Sequence, residues 1–323
     1  MDEIMVRGPL MAEDIDAAWG DPKLANILYH DWEAAGYDEK WSISYDERCI
    51  GYARDRFVTI AGDEGWPYAD AVEIGSGTGF FLLNLMQAGV VSRGRLTDIS
   101  PGMVEAAVRN AARLGLDVDG RVADAESLPC ADDSMDLVVG HAVLHHVPDV
   151  EPALREVLRV LKPGGRFVLA GEPTRYGDVV ARRLSRLTWW SVTRVTRLPV
   201  LSSWRRPQRE LDESSAAAAL ETVVDLHTFA PARLRRLAHA AGAVDVVVRT
   251  EELTAGWFGW PVRTFECAVP AGKLGLGWAM FAYRTWQRLS TVDSKVFSRF
   301  VPEGLFYNAL LTGVKPAPAA PLQ

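Results

Sequence analysis

Between Asp70 and about Gly171, short runs rich in β-branched residues (Ala71–Ile74, Gly94–Ile99, Asp119–Ala125, Met135–Gly140 and Gly165–Gly171) alternate with segments of helical periodicity. Parallel strands need a crossover between them, and a helix is the element that supplies it while covering the sheet, so this alternation reads as successive βαβ units. The expected architecture is therefore α/β, a doubly wound and mostly parallel sheet.

The flanks differ from this stretch. Leu24, Ile27, Leu28, Trp32 and Ala35 recur at helical spacing, so two or three helices are expected between Ala12 and about Phe57. Residues 212–222 form an alanine-rich helix candidate, and Pro231–Ala241 another that Gly242 stops. Val244–Arg249 and Arg263–Val269 read as two further strands, completing seven. Trp278–Leu311 reads as helical and aromatic-rich, ahead of a disordered proline/alanine tail. The division expected is an N-terminal helical lid (1–66), a ligand-binding core (67–174), a basic aromatic helical insert (175–222), the rest of the sheet with its last strands (223–270), and a helical extension with the tail (271–323).

Charge and cysteine usage exclude several classes. A net charge of −7 argues against a general nucleic-acid binder, which needs a basic surface to displace counterions. Cys49, Cys130 and Cys267 are odd in number and far apart, with neither a disulfide framework nor a metal-ligand spacing, so a reducing cytoplasm and no metal are expected. Acids at positions 2 and 3 and the lack of an apolar run argue against a signal peptide, and no stretch of about 18 uncharged apolar residues suggests a membrane span.

The sharpest motif is Val72-Glu73-Ile74-Gly75-Ser76-Gly77-Thr78-Gly79-Phe80, at the end of the first strand and opening a helix. Glycines there let the backbone turn tightly and approach a ligand. The spacing is GxGxG, and Phe80 stands where a dinucleotide-binding turn would need its third glycine, which disfavours a nicotinamide-dependent reductase. The second strand ends in Thr97-Asp98-Ile99-Ser100. Asp98, 19 residues beyond Gly79, can accept hydrogen bonds from both hydroxyls of a ribose, while Ser100-Pro101 starts the next helix. The third strand runs into Val122-Ala123-Asp124-Ala125-Glu126, the fourth into His141-Ala142-Val143-Leu144-His145-His146, and Leu161–Phe167 forms the turn before the fifth.

Five such elements in this order, over roughly residues 70 to 172, resemble the class I S-adenosylmethionine-dependent methyltransferases, distantly those acting on ubiquinone and menaquinone. The resemblance implies a Rossmann-like methyltransferase fold whose last strand is antiparallel, with helical caps. It also implies S-adenosylmethionine as cofactor and S-adenosylhomocysteine as product. Glu73, Gly75, Gly77 and Gly79 would face the cofactor's amino-acid and ribose portions, with Asp98 and Ile99 at the ribose. Met103 would lie against the adenine face, and Asp124 with the Ala125 amide would read the adenine edge. Tyr37 and Trp41 are either lid contacts to the cofactor or ordinary helix packing.

His141 would contact the cofactor's methionine portion, or His141 or His145 would serve as general base; their four-residue spacing puts both on one helical face if a helix starts at once. Glu172, His227 and the Trp257–Trp260 aromatic cluster, read as a loop between the last two strands, are further candidates for the acceptor pocket. Residues 175–209 hold nine arginines against one acid, a net +8 that leaves −15 elsewhere. Those arginines pair with the acidic remainder of the chain, contact an anionic membrane through 182–206, or grip an anionic substrate. The expected reaction is methyl transfer to an O, N or C atom of a small, hydrophobic acceptor. The alternatives are a soluble metabolite with the insert as lid, or a non-catalytic cofactor-binding scaffold or sensor.

Overall fold

A computed structural model describes residues 20–211, 223–270 and 272–317. Seven strands, β1 (Tyr68–Ile74), β2 (Val91–Asp98), β3 (Val118–Val122), β4 (Met135–His141), β5 (Leu161–Pro173), β6 (Val244–Glu251) and β7 (Asn308–Val314), form one sheet in the order β3-β2-β1-β4-β5-β7-β6. β1 to β5 pair in parallel, and β7 runs antiparallel to both β5 and β6. After β1 the chain proceeds to one side through β2 and β3, then returns to β1's other side as β4. Open α/β sheets bind ligands at this switch point, outside the carboxyl ends of the strands.

Helices α1 (Pro22–Glu33), α2 (Tyr37–Lys40) and α3 (Glu47–Ala61) precede the sheet. With α3, the crossover helices α4 (Phe80–Gln87) and α5 (Pro101–Leu114) bury Phe57, Phe81, Leu82, Leu85 and Ala107 against one face. The other face takes α6 (Val150–Val160) and α8 (Pro231–Ala241), which bury Leu154, Val157, Leu234 and Ala238. Each such leucine, valine or phenylalanine side chain removed from water contributes about 1.5–3 kcal/mol. Ser100 caps α5, its Oγ accepting from Met103 N at 3.1 Å, and Gly242 ends α8 at φ 105°.

Two assignments from the sequence are corrected. Arg263–Val269 does not form a strand: residues 263–268 complete helix α9 (Thr254–Ala268), where packing against neighbouring helices overrides the β-branched local composition. The last strand is β7, inside the stretch read as helical. Covered on both faces, Asn308–Gly313 are all buried, and a continuous apolar run lacks the alternation that distinguishes a strand. The Trp257–Trp260 cluster accordingly lies within α9 and not in a loop.

A cap is built from α7 (Arg175–Val195), α9 and α10 (Leu276–Lys295), with α9 packed against both others. α7 leaves the sheet at Thr174, whose Oγ1 accepts from Gly177 N at 3.2 Å. The helix candidate at 212–222 and the tail beyond 317 lie outside the described residues. Among the described residues, no helix is long and apolar enough to cross a membrane.

Candidate active site

A cleft of about 910 Å³, mouth included, opens over the carboxyl ends of β1, β2 and β4, with α1 and α2 leaning over it. Its floor is the turn after β1, where Gly75 (φ 56°) and Gly77 (φ 51°) bend the backbone. Ser76 N donates to Thr97 O at 2.9 Å, and Gly77 N to the Asp98 carboxylate at 2.8 Å. Asp98 also accepts from Ser100 N at 2.9 Å; it lies on the cleft wall at 8% exposure, where burial pushes its carboxyl up. Glu73, 1% exposed, accepts from Leu82 N in the first turn of α4, and burial pushes it well above the ordinary carboxyl range.

Ser76 Oγ and Thr78 Oγ1, both on residues of the cleft wall, are buried without a hydrogen-bond partner. Buried hydroxyls are rarely left so, and a polar ligand over this turn would satisfy them. Together with the Asp98 carboxylate, these groups fit a ligand that carries amino-acid and ribose portions.

Ala123, Asp124 and Ala125 form the next part of the wall. Asp124 accepts from Glu126 N at 2.9 Å, and Lys23 of α1 reaches it at 2.6 Å and Glu126 at 3.0 Å. Lys23, Asn26, His30, Tyr37 and Ile43 all face the cleft, so the N-terminal helices cover it. Tyr45 fastens this cover by donating to the Thr78 carbonyl at 2.7 Å.

Three expected contacts are not in the wall. Met103 is fully buried in the core, because its position on α5 turns it inward among the sheet-facing residues. Gly79 has a packing role: a Cβ there would come within 2.7 Å of Leu83. Trp41 lies under the Arg263 guanidinium, 3.6 Å from its ring centroid, while Tyr37 of the same segment does reach the cleft. Ile99 is in the wall as expected.

At the tip of β4, His141 lies in the wall among Phe80, Phe81 and Tyr52, whose hydroxyl is 3.3 Å from Nε2. Burial pushes its imidazole down to about 4. Ala142 then takes φ 54° and a single 3₁₀ turn spans Leu144–His146, so His141 and His145 do not share a helical face. Glu172, fully buried at the end of β5, accepts from the backbone N–H groups of Val143, Leu144 and His145 and faces His145 Nδ1 at 3.0 Å.

Burial alone would lower the His145 imidazole, but the Glu172 hydrogen bond and charge, with Asp225, hold it above its usual value. His146 does line the cleft, pushed well down by burial and then by the charges of His145 and His30. His227 is tied to the Val147 and Pro148 carbonyls, and Trp260 packs edge-on to Tyr307. His145, His146 and Asp225 bring potential metal ligands within 4.8 Å of one another, a grouping the sequence spacing did not reveal. Each already has a partner: Glu172 for His145, the Val224 carbonyl for His146 and Arg182 for Asp225.

Sequence reasoning missed Lys23, Asn26, His30 and Tyr52 as members or neighbours of the site, and favoured packing on the sheet for His146, which lines the cleft. The Lys23–Asp124 pair spans 101 residues and the Tyr52–His141 pair 89, so only the assembled fold brings them together.

Residues 72–169 match the methyltransferase domain family. The chain is 30% identical over 185 residues to a malonyl-[acyl-carrier protein] O-methyltransferase of Methylococcus capsulatus, covering 54% of this chain and 65% of that protein. It is 32% identical over 168 residues to the ubiquinone/menaquinone biosynthesis C-methyltransferase UbiE of Desulfotalea psychrophila, covering 51% of this chain and 59% of that protein. Each alignment thus spans less than two thirds of the relative. Among solved structures, Haemonchus contortus phosphoethanolamine N-methyltransferase 2, in complex with phosphomonomethylethanolamine and S-adenosylhomocysteine, shares the fold at a TM-score of 0.50 and 13% identity, covering 82% of this chain and 52% of that one.

Proposed function

We propose that this chain is an S-adenosylmethionine-dependent methyltransferase, a reading supported by the match of residues 72–169 to the methyltransferase domain family, and that it transfers the cofactor's methyl group to an O, N or C atom of a small, hydrophobic molecule. S-adenosylmethionine supplies a methyl group activated by its sulfonium for in-line displacement. The Gly75–Thr78 turn, with its unpartnered Ser76 and Thr78 hydroxyls, would hold the amino-acid portion, Asp98 the ribose hydroxyls, and Asp124 with the Ala125 amide the adenine edge. Lys23 must share Asp124 with that edge, which couples cover to cofactor. The observation that carries the reading is Asp98, a buried carboxylate fixed on the cleft wall at the carboxyl end of β2, one strand from the β1–β4 switch point.

An apolar acceptor is supported by Phe80, Ala142, Val143 and Val147, which make the wall around His141 largely non-polar. Holding an acceptor about 3 Å from the methyl can itself provide most of the acceleration, and a base is needed only where the acceptor has a proton to lose. With its imidazole near 4, His141 stays neutral at physiological pH and is a weak proton acceptor, better suited to orienting the acceptor than to deprotonating it. His145 acts through Glu172 as a positioning residue for the 143–146 turn.

Calorimetric titration of S-adenosylmethionine into the wild type and Asp98→Ala tests this assignment, with thermal melting to show that the variant is folded. At least tenfold weaker binding by the variant, about 1.4 kcal/mol, is expected. Equal binding by the two proteins, or none by the folded wild type, would overturn the assignment.

A further inference from the structure

α7 and the 3₁₀ segment that follows it (Pro199–Trp204) present a surface whose charge is only partly compensated among the described residues. Arg182 pairs with Asp178 at 2.7 Å and Asp225 at 3.6 Å, and Arg206 with Glu210 at 2.9 Å. Arg183, Arg186, Arg194, Arg197 and Arg205 make no ion pair among the described residues, although Arg194 stacks over the Trp190 ring at 4.3 Å. Self-neutralisation therefore accounts for a minority of the arginines.

Large apolar side chains stand in the open between them: Leu187 is 61% exposed, Trp190 54%, Leu198 52% and Val200 83%. Arg183, Leu187, Trp190 and Arg194 follow one another at spacings of four, three and four, so they form a single stripe along the helix.

We propose that this stripe docks on an anionic phospholipid surface. Guanidinium groups and exposed apolar side chains share this stripe, a composition suited to an interface: the apolar groups enter the headgroup boundary while the long arginine side chains reach back to phosphate. A charge of +8 within residues 175–209 against −15 elsewhere draws this segment to such a surface ahead of the rest of the chain and biases the molecule's orientation there. Docking does not depend on the methyl-transfer reading, but its use does. α7 begins three residues after Glu172, which holds the 143–145 turn at the cleft, so a docked α7 brings the acceptor side of the site near the bilayer and favours an acceptor dissolved there.

The test is co-sedimentation of the full chain with vesicles of phosphatidylcholine alone and of phosphatidylcholine with equimolar phosphatidylglycerol, at low and high salt. Binding to the mixed vesicles only, weakening as salt shortens the screening length, is expected. Arg183→Glu with Arg186→Glu should cut that binding at least tenfold, and Leu187→Ser with Trp190→Ser should weaken it without changing its salt dependence. All four side chains are solvent-facing, so melting temperature and S-adenosylmethionine titration should be unaltered in both variants, which separates this result from the cofactor assignment. No binding to mixed vesicles, or undiminished binding by the charge-reversed variant, would overturn the proposal. Binding to soluble polyglutamate that ignores Trp190→Ser would overturn it in favour of an acidic protein partner.

Discussion

Three helices of this chain show how differently its halves are held. α6 buries six of its 11 residues against the sheet, whereas α7 buries two of 21, Gly177 and Ala181, and α10 one of 20, Asp293. The core specifies itself, because each apolar side chain there is removed from water by another element of the same sheet. Among the described residues the cap leaves much of its apolar surface exposed, and polar groups fix it: Asp293 accepts from Thr254 N and Oγ1 and from Ala255 N, stapling α10 to the start of α9.

The largest effect expected from this contrast is at the centre of the core site. Gly75 stands at φ 56°, and a Cβ there would come within 2.2 Å of Val143 Cγ2. Val143 cannot retreat freely, since the buried Glu172 holds its N–H. Left-handed backbone costs a non-glycine residue about 1–2 kcal/mol, and forcing atoms into a filled core about 1–3 more, so Gly75→Ala should lose about 2–5 kcal/mol in denaturant unfolding. A loss below about 0.5 kcal/mol, in the range of an ordinary surface substitution, would mean that the 143–146 turn yields and that Glu172 does not anchor it.

Acid separates the two halves next. Unfolded His141 takes a proton near 6.5, whereas in the folded protein burial holds it off until about 4. Its contribution to stability is complete above pH 6.5 and is lost as pH falls toward 4, at about 1.4 kcal/mol per pH unit and up to about 3 kcal/mol in all. Glu252, pushed up to about 7 chiefly by burial, works in the opposite direction, favouring the folded state as pH falls from 7 to 4.5. It remains in both wild type and His141→Gln, so the difference between their stability profiles isolates the histidine. That difference should grow on acidification from pH 6.5 to 4; a flat difference would mean that water reaches the imidazole in the folded state. The cap's arginines keep their charge throughout this range.

What the sequence discloses follows the same division. Gly75–Gly79, Asp98 and Asp124 are legible because a turn after a strand and a carboxylate at a strand tip are local features at fixed spacing. Motif membership does not say which way a side chain points, so Met103 and Gly79 enter the core while Tyr37, and not Trp41, faces the cleft. The Glu172 anchor reaches across 29 residues to Val143, and the Arg56 pairs with Glu251 (2.8 Å) and Glu252 (3.5 Å) across about 195, distances at which no periodicity carries information. β7 was hidden for a different reason: burial on both faces erases the alternation by which a strand is known. In α7 the composition was legible, but how few of its arginines find acids inside the molecule depended on the fold.

The smallest effect makes the sharpest test, because the same substitution should change sign between the two regions. Gly259 sits inside α9, and the nearest atom to a Cβ built there is Trp286 Cδ1, at an ordinary contact distance of 3.7 Å. A glycine in a helix interior costs about 0.5–1 kcal/mol relative to alanine through the freedom it has when unfolded, so Gly259→Ala should raise stability by about that amount where Gly75→Ala lowers it. Denaturant melts of the two variants beside wild type measure both changes at once. A destabilising Gly259→Ala would mean that α9 and α10 interlock as tightly as the core, and that the sparse burial along α10 conceals a close helix–helix contact. A stabilising one would leave the cap as a scaffold with room to spare, held by polar staples and free to present its outer face.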